Sequence, residues 1–332
     1  MRNVLITTVL VLLVAVTAFY FWGSSGKMEV DALHRVVAYS ESTHEQRDTI
    51  SVMTYNLGYL SGMTNNLPVS PEKDLFDQNL SLAKELIADS KADVIGIQEI
   101  DYQSSRSYGV DQLEELSPGY LEAVRSVNWD KNYVPFPYWP PQIQFGNMLS
   151  GQAILSKYPV LNSQRIVLDK PQTAPFYYNA FYLDRLIQMA VLEIGSRQLV
   201  VLNVHLEAFD EITREEQAKI LLQLVDSLVT DRPLILMGDF NARPPFASEQ
   251  VTKENTMKWF YEHPELSAAV SQQEYLKNET GHFTFDTATP YEKLDYIFYN
   301  HRFINPIKGI VLSEAGPISD HLPVHFTFTW RD

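Results

Sequence analysis

The sequence predicts an α/β fold of mixed β-sheets with helices on the outside. Three observations carry that prediction. Short apolar, β-branched runs recur between residues 50 and 330, and several are apolar throughout, as strands buried on both faces are. Two amphipathic stretches, residues 75–89 and 213–229, each fall between two such runs. Strand–helix–strand units followed by hairpin-like runs then require mixed sheets with helices packed against them.

Taken from the N-terminus, residues 4–22 carry no charge. At about 1.5 Å rise per residue such a helix spans most of a bilayer's ~30 Å core. Its far end is Phe19, Tyr20, Phe21 and Trp22, rings that suit a membrane interface. A cleaved signal peptide is the alternative, cut near Val16-Thr17-Ala18, but the apolar run exceeds a usual signal core. Residues 1–26 are therefore expected to be a single-pass transmembrane anchor. Arg2 and the terminal amine favour a cytoplasmic start, which puts the remainder outside the cytoplasm. Residues 27–48 read as a polar tether with a short helix or strand near 33–39. Residues 49–332 read as one folded domain.

Within that domain the expected strands are 50–56, 94–100, 152–156, 186–194, 199–206, 234–240, 294–299, 309–312 and 323–330. The first helix repeats Leu75, Phe76, Leu80, Ala83, Leu86 and Ile87 on one face. The second opens with Thr213-Arg214-Glu215-Glu216, which reads as a capping box. Residues 133–147 hold Pro135, Pro137, Pro140 and Pro141 with Phe136, Tyr138, Trp139 and Phe145, and read as a long loop. Residues 242–281 read as an insertion with a helix near 257–262.

Composition narrows the functional classes. The chain is 45% hydrophobic and 20% charged, a globular balance. Its net charge of −15 counts against a duplex-DNA binder, which shows a basic face. With no cysteine, disulfides, zinc–thiolate sites and a cysteine nucleophile are excluded.

The chemistry-bearing residues stand at the ends of the buried strands, where an α/β scaffold exposes reactive groups. They are Asn56, Glu99, His205, Asp239 with Asn241, Asp295, and Asp320 with His321. Singly, each has a structural explanation: a solvated strand end, a turn, a core histidine, a strand cap. Asp295, inside an apolar run, already requires a partner. Together they are four carboxylates, two asparagines and two histidines: the carboxylate and amide oxygens suit Mg²⁺ or Mn²⁺, and a histidine held by a carboxylate suits proton or phosphate handling.

The ordered set Tyr-Asn, Gln-Glu, Asn-Val-His-Leu, Gly-Asp-Phe-Asn, Leu-Asp-Tyr-Ile and Ser-Asp-His-Leu-Pro-Val resembles the endonuclease/exonuclease/phosphatase superfamily, from about residue 50 to 330. The resemblance implies a four-layer sandwich, two mixed sheets face to face with helices on both outer sides. It implies a divalent-metal-dependent phosphoesterase. Glu99 would hold the metal, with Asn56 and Asp320 near it. Asp239 would activate or orient the attacking water, and Asn241 would orient Asp239 or the phosphate. His205 would hydrogen-bond phosphate oxygens. His321, oriented by Asp295, would be general base or transition-state donor. Arg106 and Arg185 are candidate phosphate-binding residues, or surface ion pairs.

Such motifs leave the substrate open. The anchor, the acidic surface and two aromatic groups (the 133–147 loop, and Phe176, Tyr177, Tyr178, Phe181, Tyr182) favour a lipid headgroup or small phosphodiester over nucleic acid. An extracytoplasmic nuclease and a non-catalytic binding relative are the alternatives. Every motif position is filled, which counts against the latter. No protein partner is inferable.

Overall fold

A computed structural model describes residues 1–40, 48–65, 67–248 and 254–331. Strands β1 (His34–Ala38), β2 (Thr49–Asn56), β3 (Val94–Asp101), β4 (Glu122–Val134) and β5 (Gly146–Ser156) build a first sheet. Strands β6 (Val160–Leu168), β7 (Arg185–Ile194), β8 (Arg197–His205), β9 (Leu234–Asp239), β10 (Leu266–Ala268) and β11 (Asp295–Asn300) build a second. The chain then returns to the first sheet with β12 (Ile304–Val311) and β13 (Val324–Trp330). The sheet orders are β1-β4-β5-β3-β2-β13-β12 and β10-β11-β9-β8-β7-β6. Both are mixed: β2–β3 and β8–β9 are parallel, and the other pairs antiparallel.

Among the described residues seven α-helices accompany them: α1 (Arg2–Ser24), α2 (Lys73–Ser90), α3 (Gln112–Leu116), α4 (Phe176–Phe181), α5 (Glu211–Leu228), α6 (Thr256–Tyr261) and α7 (Gln272–Lys277). Alternation along the strands sorts side chains into layers. Val52, Val94, Val201 and Ile235 meet between the sheets. Met53, Ile95 and Ile97 pack outward on Phe76, Ala83 and Ile87 of α2. Val200, Leu202 and Leu236 pack outward on Ala218, Leu221 and Val225 of α5. The expected four-layer sandwich is thus observed. A buried polar seam crosses between the sheets: Gln98 Nε2 donates to Asn203 Oδ1 (2.5 Å), and Asn203 Nδ2 to the Ile97 and Ala153 carbonyls. These fully buried amides lock one sheet over the other.

Several expectations are adjusted by the structure. The segment read as tether contributes β1, an edge strand antiparallel to β4, so the sheet begins at His34. Residues 41–47 lie outside the described residues. Helix α5 starts at Glu211, not residue 213, because Asp210 accepts from the Thr213 amide (2.8 Å) and caps it three residues before the Thr213 of the expected box. Strand β12 is longer than 309–312: it passes Pro306 by a register shift, which an edge strand tolerates. Residues 135–145 join β4 to β5, as the prolines require.

Candidate active site

The parallel pairs β2–β3 and β8–β9 end at one place, and the reactive residues sit on those ends. Asp239 and Asp295 are cross-strand partners of β9 and β11. Gly238, just before Asp239, has φ +147°, and a Cβ there would lie 2.0 Å from the Val204 carbonyl oxygen. Only glycine lets β9 lie against β8 at this point. Glu99 has φ +50° where the β3–β5 register shifts, a bulge that turns its carboxylate into the cleft.

Asp239 is held on both oxygens: Oδ1 accepts from the Asn241 amide (2.8 Å), Oδ2 from Asn56 Nδ2 (2.9 Å). Burial, reinforced by Asp295, pushes this carboxyl up to about 7 despite His321. His321 Nδ1 bonds Asp295 Oδ2 (2.8 Å), and its Nε2 lies 3.8 Å from Asp239 Oδ2. Burial opposes charge on that ring, yet Asp295 and Asp239 hold it well above the usual histidine range. His205 is driven the other way, by burial, Arg185 and His321. Its Nε2 faces Arg185 Nη1 at 2.6 Å and Asp239 Oδ2 at 3.5 Å. A neutral ring there accepts from the guanidinium, so the proton belongs on Nδ1. Arg185 thus sets its guanidinium beside His205, the residue the sequence suggested for the phosphate.

Asn65, which the sequence reading missed, closes the remaining side. Its Nδ2 contacts Glu99 Oε2 (3.0 Å) and both Asp320 oxygens (3.2 and 3.1 Å). Two carboxylates thus converge on one small group, and burial followed by Asp320 raises the Glu99 carboxyl. That is the donor set a hard divalent cation fits. Asn56, grouped by the sequence with the metal, accepts the Gly58 amide at Oδ1 (3.0 Å) and donates from Nδ2 to Asp239 (2.9 Å), a contact that orients this carboxylate. Asp239, Asp295 and His321 also bring ligating atoms within 4.8 Å of one another, but His321 Nδ1 is already taken by Asp295. Glu99 with Asp320 is therefore the better cation seat.

Arg106 and Arg185 both line the cleft, and neither is a surface ion pair. Arg106 forks onto Asp101 (3.1 and 3.0 Å) and lies 3.2 Å over the Tyr59 ring. Arg185 also reaches Glu207 Oε2 (3.4 Å) and Tyr182 Oη (3.0 Å). Glu207, two residues past His205, shares that residue's alternation, the one signal by which the sequence offered it. Asn241 donates Nδ2 to the Leu206 carbonyl (3.0 Å). The cleft holds about 700 Å³, with this polar cluster at its base and Trp129, Phe136, Phe145 and Phe181 along one wall.

The fold recurs among solved structures. The human Nocturnin catalytic domain with bound sulfate is 21% identical, with 90% of this chain and 98% of that one aligned at a TM-score of 0.59. An endonuclease/exonuclease/phosphatase protein from Beutenbergia cavernae is 20% identical over 86% of this chain and 72% of its own, TM-score 0.62. A mannosyl-6-phosphatase from Bacteroides thetaiotaomicron is 19% identical over 84% and 99%, TM-score 0.58. Among curated proteins no match is found. The family model of the Endonuclease/Exonuclease/phosphatase family matches residues 53–321, which run from β2 to His321 and take in every reactive side chain described above. On that match the chain belongs to the endonuclease/exonuclease/phosphatase family, whose members are divalent-metal-dependent phosphoester hydrolases.

Proposed function

We propose that the chain is a membrane-anchored phosphodiesterase, dependent on Mg²⁺ or Mn²⁺, that cleaves a lipid headgroup or small phosphodiester. The observation that carries this reading is the two-sided cleft: a charged base continuous with an aromatic wall. That pairing suits a phosphodiester with an apolar substituent. A helix long and apolar enough to cross a membrane precedes the domain. Arg2 favours a cytoplasmic start and an extracytoplasmic cleft.

Glu99 and Asp320 would hold the cation, which supplies charge neutralisation on the phosphoryl oxygens. The chain's own groups divide the proton handling. Asp239, poised near neutrality and fixed by Asn56 and Asn241, takes a proton from the attacking water. His321, charged and held through Nδ1 by Asp295, offers its other nitrogen as hydrogen-bond donor to the developing charge. Of the two roles the resemblance allowed this histidine, donor is thus favoured over base. Arg185 adds fixed positive charge beside His205.

The test is a panel of phosphoesters (lipid diesters in vesicles, soluble aryl diesters, sugar phosphates, oligonucleotides) given to the full chain with Mg²⁺ or EDTA. Lipid diester turnover is expected to lead and to vanish in EDTA. Glu99→Gln should keep the fold and weaken calorimetric Mg²⁺ binding by orders of magnitude. Preference for oligonucleotides would replace the lipid reading with a nuclease, the aromatic wall then stacking bases. Unchanged Mg²⁺ affinity would remove Glu99 from the metal seat.

A further inference from the structure

The exposed end of α1 is fastened to the rim of the cleft. Asn132 donates from Nδ2 to the Trp22 carbonyl (3.0 Å) and from its amide to that of Ser25 (2.8 Å). Lys131 Nζ caps the Ser24 carbonyl (2.8 Å). Asp130 Oδ2 receives the Lys27 and Met28 amides (2.8 Å each). Gly23 is buried, and a Cβ there would sit 3.2 Å from the Phe181 ring and the Tyr133 carbonyl. Helix carbonyls that lack an intrahelical partner are thus satisfied by β4, with little room for the joint to swing.

The rings at that joint belong to the cleft mouth. Phe19 meets Tyr133 (5.8 Å) and Phe181 (6.4 Å), and Tyr20 meets Phe176 (6.0 Å). Phe181 lines the cleft. Tyr133 Oη reaches Gln144 Oε1 (2.7 Å), whose Nε2 donates to the Tyr138 carbonyl, tying the 135–145 loop to the same edge. Thr173 Oγ1 donates to Asp210 Oδ2 (2.9 Å), bringing the start of α5 beside the segment before α4. Large apolar side chains stand exposed on these three pieces: Trp139 (79%), Phe176 (76%), Phe209 (75%), Ile212 (72%), Tyr138 (63%) and Tyr177 (55%). A crowd of exposed rings this size marks a contact surface. Their position beside the last turn of an apolar helix says which one. If Phe19 to Trp22 sit at the headgroup level, rings touching them share that depth.

We propose that this rim lies in the interface of the phospholipid bilayer that α1 crosses, held there by the fastened joint, so that the cleft mouth opens onto the membrane. A lipid diester then slides from bilayer to cleft without crossing water, its apolar part along the aromatic wall and its phosphate at the base. The orientation rests on reading α1 as a span; the substrate route rests also on the proposed phosphodiesterase activity.

With no cysteine in the chain, single labels are clean. Trp139→Cys, Phe176→Cys and Ile307→Cys, the last on β12 at the other edge of the first sheet, are spin-labelled in the full chain in phosphatidylcholine vesicles. Relaxation by oxygen, which partitions into the bilayer, is compared with relaxation by a water-soluble nickel chelate. The oxygen-to-nickel ratio is expected to be several-fold higher at 139 and 176 than at 307. Equal ratios overturn the docking. Quenching by brominated phosphatidylcholine, taken as the difference between wild type and Trp139→Phe, gives the same answer without a label. In a hydrolysis arm, Trp139→Ser with Phe176→Ser should cut vesicle lipid turnover about tenfold and leave a soluble diester within about twofold. Labels in the bilayer with no lipid hydrolysed would keep the docking and sink the lipid-substrate reading. Aqueous labels with vesicle lipid still cleaved would do the reverse.

Discussion

His205 and His321 both turn Nε2 toward Asp239 Oδ2, at 3.5 and 3.8 Å, and are buried alike, 2% and 5% exposed. Burial acts on both in the same sense, against the charged ring. Their neighbours do not. His205 faces a guanidinium at 2.6 Å, and His321 is held between two carboxylates, at 2.8 and 3.8 Å. One ring is kept neutral and the other charged. Burial alone would keep both rings neutral, and at His205 it chiefly does so, with Arg185 adding to it; at His321 two carboxylates outweigh burial, and the two rings acquire different tasks from one residue type.

The strongest way to break this comparison is to remove the charged histidine or its carboxylate. Asp295→Asn, His321→Ala and the double mutant should each lose about 10²–10⁴ in kcat/KM on a soluble diester, with the fold intact by circular dichroism. Two residues acting as one unit give non-additive losses. Additive losses in the double-mutant cycle would leave Asp295 as a structural carboxylate only.

The neutral histidine is tested by taking away the guanidinium beside it. A charge-assisted hydrogen bond is worth about 1.5–3 kcal/mol, so Arg185→Met should cost roughly 10–100-fold in kcat/KM. The readout that a merely structural role would not move is the titration of His205, followed by NMR. It should rise, while burial still keeps it below the ordinary histidine value, and His321 should remain high. A His205 titration that stays where it was would mean that burial alone sets it, and the comparison would fail.

Legibility in the sequence divides along similar lines. Buried strands and amphipathic helices were readable because both faces of β2, β3, β8 and β9 are apolar, a pattern local to each segment. Strand β4 was not, because Arg125, Asn128, Asp130 and Lys131 interrupt its alternation, and their partners come from distant segments, as with Asp130 and Lys27. The reactive residues were found from strand ends, but their pairings were not. Asn65 lies in a turn, and only tertiary structure brings its amide between Glu99 and Asp320. Gln98 and Asn203 stood in the motifs for Glu99 and His205, yet they serve the seam between the sheets. Arg106 looked available for phosphate, and its guanidinium is committed to Asp101 and Tyr59.

The smallest expected effect concerns Asp239, which lies between the two histidines. Its carboxyl rises from the ordinary value of 3.8 to about 7 on folding, chiefly by burial. The folded state therefore binds more protons than the unfolded state between those values, and this group's contribution to stability falls as pH rises from about 4 to about 7. His321 adds a loss in a higher window, since its raised pKa is passed only well above 6.5. His205 acts in the opposite sense, favouring the fold as pH climbs toward 6.5. Comparing Asp239→Asn with wild type cancels His205 to first order; His321, whose pKa Asp239 itself raises, cancels only below about pH 6.5, where it is charged in both proteins, so that window isolates the carboxylate. In EDTA, the Tm of the variant minus that of wild type should climb by about 5 °C from pH 4 to about pH 6.5. That slope corresponds to a few kcal/mol at roughly 2 °C per kcal/mol for a domain of this size. The sign of the difference at any single pH is not diagnostic, because asparagine turns a donor toward Asn56 Nδ2 and loses that bond. The slope survives this constant penalty. Melting curves collected at half-unit intervals would show it, and a difference constant to within a degree across the range would mean that Asp239 is already ionised at pH 4 and cannot be the base poised near neutrality.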